Sequence, residues 1–128
     1  MVADHSDTLR RLAAGLSLVA GVVHLLVVPE HMAEAWEEGA FFLVVGVAQI
    51  AVGVQLSRRP TPALIFATIV GSLGMLALFI GAYTVGLPVG EHPWEPEGLG
   101  PMVVGCKLAE LALVGVLVTL LRSPARAR

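Results

Sequence analysis

Four long stretches of this chain are apolar on every side, at roughly residues 9–28, 39–57, 62–85 and 101–121, and the charged residues fall almost wholly between them. A helix that buries one face in a soluble core alternates apolar and polar positions at a period of 3.6 residues. These stretches keep no polar face. Each is long enough to cross the hydrocarbon of a bilayer, which takes about 20 residues for about 30 Å. The pattern predicts an all-α protein, a four-helix transmembrane bundle filling one domain over residues 1–128. Short connections between consecutive spans make it up-down and antiparallel. Composition agrees, with 56% hydrophobic and 14% charged residues and a mean hydropathy of +0.83.

Local signals place the ends. Pro29 either stops the first apolar run or occupies the first turn of the next helix, where its missing N–H costs nothing. In the second case the next helix opens at Pro29 and runs about 28 residues, roughly 42 Å, with Glu30 and Glu34 near its positive end. Trp36, Phe41 and Phe42 suit the outer interface. Thr61 is an N-cap candidate with Pro62 at the first helical position, Gly86-Leu87-Pro88 closes the third span, and Pro101 opens the fourth. Outer loops are expected at 29–38 and 86–100.

The charges orient the bundle. Arg10, Arg11, Arg58, Arg59, Arg122, Arg126 and Arg128 lie at the two termini and the 2–3 connection. Glu30, Glu34, Glu37, Glu38, Glu91, Glu95 and Glu97 occupy the other two connections, without Lys or Arg. Arginine marks the cytoplasmic side, so both termini are expected inside a cell (inner) membrane and both acidic loops outside. The first run exceeds a signal-peptide core and reads as an uncleaved span. The expected partner is the lipid bilayer, not nucleic acid, since the basic ends are short and explained by topology.

Small residues mark where membrane helices approach closely. Ala13, Ser17, Ala20 and Gly21 form such a stripe on span 1, and His24 continues it, so His24 is expected to face other helices. Gly46, Gln49 and Gly53 share a face of span 2. The longest stripe is Ala67, Gly71, Gly74, Ala77 and Gly81 on span 3, which predicts the tightest packing at Gly71, Gly74 and Gly81, within the bundle or between copies in a homo-oligomer.

Two constellations carry candidate chemistry. Ionisable groups inside a bilayer are costly and tend to be functional, and His24, Gln49, Lys107 and Glu110 lie at similar depth as one intramembrane polar cluster. Its plain alternative is a Lys107–Glu110 pair at i,i+3 with His24 bonded to a carbonyl. The second set lies toward the outer end: His24, His31, Glu34 and His92, with Glu30, Met32, Met102 and Cys106 near in depth. Imidazole and carboxylate suit Zn, Fe or Cu, and sulfur favours Cu(I). On a straight helix His24 and His31 are about 10 Å apart, so they share one ion only if Pro29 folds the chain back. The single cysteine, Cys106, excludes an internal disulfide. The sequence contains no HExxH, CxxC, phosphate loop or nucleophile elbow.

The His24…Pro29-Glu30-His31…Glu38-Gly39…Phe42…Gln49 pattern and the loop Thr84-Val85-Gly86-Leu87-Pro88-Val89-Gly90…Glu95-Pro96-Glu97-Gly98 resemble uncharacterised small four-span integral membrane proteins of high-GC bacteria. The resemblance implies that these segments form one shared feature, and it implies no activity. The leading functional reading is a non-enzymatic membrane protein that binds a transition metal (Cu, Zn or Fe) or small ligand at its extracytoplasmic end through His24, His31, Glu34 and His92. Its alternatives are an accessory subunit of a larger membrane complex, a small proton, ion or solute transporter acting through His24 and Glu110, and a cofactor-dependent membrane enzyme.

Overall fold

The computed structural model describes residues 5–123. Over them the chain forms four α-helices and no strand: α1 His5–Glu34, α2 Trp36–Arg58, α3 Pro62–Thr84 and α4 Pro101–Arg122. All four are long and apolar enough to cross a membrane. The shortest has 22 residues and spans about 33 Å at 1.5 Å per residue. Large apolar side chains face outward on every helix, among them Leu26, Val44, Phe66, Ile80 and Leu108, as a lipid-facing surface requires.

The first chain reversal departs from expectation. α1 runs through Pro29 and ends at Glu34, so most of the expected 29–38 loop is helical and His31 belongs to α1, not to the start of α2. Proline removes its own N–H from the ladder but leaves every other donor intact. The residues that follow include Glu, Met and Ala, all strong helix formers. The turn is made instead at Ala35, in an extended conformation with φ −153° and ψ 119°. Its N–H donates to the His31 carbonyl at 2.8 Å, and its own carbonyl accepts from Glu38 and Gly39. One residue therefore closes α1 and opens α2.

So sharp a corner presses the two helices together, and glycine makes room. A Cβ at Gly39 would lie 2.3 Å from Met32 Cγ, and one at Gly46 2.7 Å from Leu25 Cδ2 and 3.0 Å from the Gly21 carbonyl. Gly53 meets Leu18 and the Ala14 carbonyl in the same way. Rising numbers on α2 meet falling numbers on α1, so the pair is antiparallel. Seven-residue spacing keeps one seam of α2 on its neighbour, as in coiled coils. Ser17 adds a tie by donating to the Gln49 carbonyl at 2.7 Å.

α1 also packs on α4, α4 on α3, and α2 touches α3 sparingly; among the described residues α2 and α4 make no close backbone approach. The apolar core gathers Ala13 and Ala14 of α1, Leu56 of α2, Ile65 and Ile69 of α3, and Leu113 and Leu117 of α4. It sits toward the Arg58 end of the bundle. Thr61 caps α3 by accepting from the Leu64 N–H, with Pro62 at its first turn.

Within the bundle the glycine row of α3 does not pack as expected. Cβ atoms built at Gly71, Gly74 and Gly81 would meet nothing within 4 Å, so the expected contact within the bundle is absent there. α3 turns Ile65, Ile69, Ser72 and Ala82 inward instead. Its branched side chains reach across to Leu113 and Leu117, and that spacing needs bulk, not glycine. The 85–100 connection folds back on the end of α3: Glu97 N–H donates to the Ala82 carbonyl and Trp94 N–H to that of Leu87. Gly86 is required twice, by its φ of +88° and because a Cβ would lie 2.5 Å from the Glu95 nitrogen.

Candidate functional site

One polar cluster sits inside the bundle, and each helix delivers its part for a local reason. The close α1–α2 seam at Gly21 and Gly46 brings the next turn of each helix together, and there His24 meets Gln49. On α4, Cys106 and Glu110 are i,i+4 and Lys107 and Glu110 are i,i+3, so all three share one face. That face is turned toward α1. Glu110 is fully buried, His24 is 3% exposed and Cys106 5%.

The hydrogen bonds form one chain. His24 Nδ1 lies 2.9 Å from the Ala20 carbonyl and 2.7 Å from Gln49 Oε1. Both partners are acceptors, so Nδ1 carries the proton and donates to both. Gln49 Nε2 in turn donates to Glu110 Oε1 at 3.0 Å. Lys107 Nζ donates to Glu110 Oε2 at 2.7 Å and lies 5.4 Å from the centre of the Phe79 ring of α3. The Gln49–Glu110 bond joins α2 to α4 across the bundle, where their backbones do not touch. The structure thus brings together His24, Gln49, Lys107 and Glu110, with Phe79 completing the fourth wall.

With Nδ1 protonated, a neutral His24 presents an unprotonated Nε2. That nitrogen points at Glu110 Oε1, 3.8 Å away. Ligand atoms of His24, Cys106 and Glu110 all lie within 4.8 Å of one another. An ion about 2 Å from a nitrogen and an oxygen holds them at most about 4 Å apart, so the His24–Glu110 spacing admits one. The supporting bonds are those of a metal-binding histidine, whose second ring nitrogen donates to a carbonyl or carboxylate and fixes the tautomer. Here Ala20 and Gln49 take that role.

The outer constellation is not gathered, which corrects the expected ligand set. Because α1 stays helical through Pro29, His31 lies two turns beyond His24, about 10 Å along the axis. The Phe42 ring touches both: its centre is 5.6 Å from that of His24, stacked, and 4.4 Å from that of His31, edge-on. His31 Nδ1 donates to the Val27 carbonyl at 2.9 Å. Glu34 is exposed at the end of α1 beside Met32, Trp36, Glu37 and Glu91. His92 is exposed in the second loop, its Nδ1 3.9 Å from Glu95 Oε2. Of the four expected ligands only His24 enters the candidate centre, alongside Glu110 from the polar cluster.

Sequence reasoning set Cys106 beside the outer constellation and not with Glu110, and it passed over Phe42 as the ring between the histidines. The signal for Cys106 was present in its i,i+4 relation to Glu110; Phe42 had none, since its place depends on where α1 ends. No family model, curated protein or solved structure matches this chain.

Proposed function

We propose that this chain is a small integral membrane protein whose four-helix bundle binds a transition-metal ion at an interior centre formed by His24 Nε2, Cys106 Sγ and the Glu110 carboxylate. Convergence of these three donors within 4.8 Å carries the reading, and the donor–acceptor logic at His24 Nδ1 supports it. Lys107 holds Oε2 of Glu110, and Oε1, which also accepts from Gln49, faces His24 Nε2. Gln49 fixes the imidazole and the carboxylate relative to each other. Cu, Zn and Fe all accept a nitrogen, sulfur and oxygen donor set. This is a binding function, placed deeper than the outer loops.

Elemental analysis of the full chain purified in detergent tests it. Expected is about one Cu, Zn or Fe per chain, since a buried centre with fixed ligands binds stoichiometrically. The ion should be lost in His24→Ala and Cys106→Ala while circular dichroism stays helical, and retained in His31→Ala and His92→Ala. Metal-free wild type that takes up none of these ions when supplied would overturn the reading.

We also infer that the chain lies in the inner cell membrane with both termini inside, on the strength of the arginine and glutamate distribution. A cysteine placed at Glu91 in a Cys106→Ala background should react with an impermeant thiol reagent on intact cells. One placed at Arg59 should not; the reverse pattern inverts the orientation.

A further inference from the structure

The charge arithmetic of the centre reaches beyond the presence of a metal. Lys107 and Glu110 form a pair at 2.7 Å that sums to zero whichever partner holds the shared proton. His24, protonated on Nδ1 alone, is neutral, and so is a Cys106 thiol. The whole cluster is therefore neutral, inside four apolar helices. An ion that enters must leave that sum near zero, because an uncompensated charge in a low-dielectric interior is strongly disfavoured.

We propose that the ion taken here is a soft monovalent cation, Cu(I) in preference to Zn(II) or another divalent metal; this rests on the metal centre argued above. Binding exchanges one proton for one ion. The Cys106 S–H bond breaks, its proton passes to water, an Sγ–Cu bond forms, and His24 Nε2 donates its lone pair; no atom changes oxidation state. The cluster starts and ends neutral. A divalent ion making the same exchange leaves one positive charge unmatched, because the Lys107 ammonium already neutralises Glu110.

Donor chemistry admits the ion. Thiolate and imidazole suit Cu(I) and zinc alike, so the charge balance and the number of donors make the distinction. Zinc takes four ligands in a tetrahedron, and with only three from the protein it needs a water as the fourth. Three protein donors converge here, and the carboxylate among them is already engaged by Lys107 and Gln49. One soft sulfur, one imidazole nitrogen and one shared oxygen fit the low coordination number that Cu(I) accepts. Lys107 is then a selectivity residue that never touches the ion: its charge sets which valence the centre can hold.

The test compares affinities of the full chain in detergent for Cu(I), buffered by a competing chelator under anaerobic reduction, and for chelator-buffered Zn(II). Wild type should prefer Cu(I), and Cys106→Ser and His24→Ala should abolish its uptake. X-ray absorption of the copper-loaded wild type should show one sulfur and one nitrogen on the copper. Removing the lysine charge leaves Glu110 free to balance a second positive charge. Lys107→Leu, with Lys107→Gln as a second variant should the first not fold, is therefore expected to reduce the preference for Cu(I) over Zn(II) by about tenfold or more, as one unmatched buried charge implies. If wild type holds Zn(II) through the same residues as tightly as Cu(I), or neither lysine variant moves the preference, the valence proposal is overturned and the metal centre stands. If neither ion binds, or Cu(I) uptake survives Cys106→Ser, the metal centre falls and takes the valence proposal with it.

Discussion

The bundle has two interiors, and they are held by different forces. Toward the Arg58 end, Ala13, Ala14, Leu56, Ile65, Ile69, Leu113 and Leu117 interdigitate as an apolar core drawn from all four helices. Farther along the same helices, His24, Gln49, Cys106, Lys107 and Glu110 fill the space with hydrogen bonds and an ion pair. In the membrane setting proposed above, the apolar half gains little from hydrophobicity, since its alternative is lipid tail, and close packing holds it. The polar half gains by satisfying groups that would otherwise be stranded in hydrocarbon. A packed half tolerates conservative change in small steps, whereas a linked polar half fails as a unit. The costly half is the one to which the proposed metal binding is assigned.

The largest effect should come from breaking the ion pair on one side only. Glu110→Gln leaves the Lys107 ammonium buried without its carboxylate and is expected to cost about 3–5 kcal/mol of bundle stability, measured by unfolding in mixed detergent. The double variant Glu110→Leu with Lys107→Leu should recover most of that loss while metal affinity falls for want of the carboxylate donor, because well-packed apolar residues replace buried pairs at little cost. If the double variant is as unstable as the single one, the polar half is a structural element first and the contrast between the two halves fails.

In the apolar half, Leu113→Ala empties a site that is 1% exposed and should cost about 2–5 kcal/mol through lost contacts and the cavity left behind. Metal content should not change. A loss of metal here would mean that the two halves are coupled through α4, and calorimetry on the loaded and metal-free forms would measure by how much.

The smallest effects separate two glycine rows of similar appearance. Gly46→Ala forces a methyl against Leu25 and the Gly21 backbone and should cost about 1–3 kcal/mol as overpacking. It also displaces Gln49 one turn away, so metal affinity should fall with it. Gly71→Ala meets open space and should stay within about 0.5 kcal/mol of wild type. Equal thermal shifts for the two variants would show that α3 packs as closely as α2, against the contact pattern described above.

How legible this protein was from its sequence depends on the range of the interaction concerned. The four helices could be read because a bilayer-length apolar run needs no partner to be recognised, and Thr61-Pro62 announces a helix start by chemistry confined to a few residues. His24 facing inward followed from the small residues one and two turns before it. Lys107 against Glu110 followed from a spacing within one helix. What could not be read depends on two elements at once. Pro29 carries a local stop signal, but α1 continues past it, and the turn falls at Ala35 where Gly39 allows the corner. That shift of a few residues carries His31 away from the site and sets Phe42 between the two histidines. The rows on α2 and α3 look alike along the chain, and the α3 row is the longer. Only packing decided that the row on α2 meets a neighbour, because closeness belongs to a pair of surfaces and neither row encodes the other. The centre itself is of this second kind. Each of its residues was visible singly, but a nitrogen from α1, an amide from α2, and sulfur and carboxylate from α4 become one site only when the α1–α2 seam and the α1–α4 contact set their depths to agree.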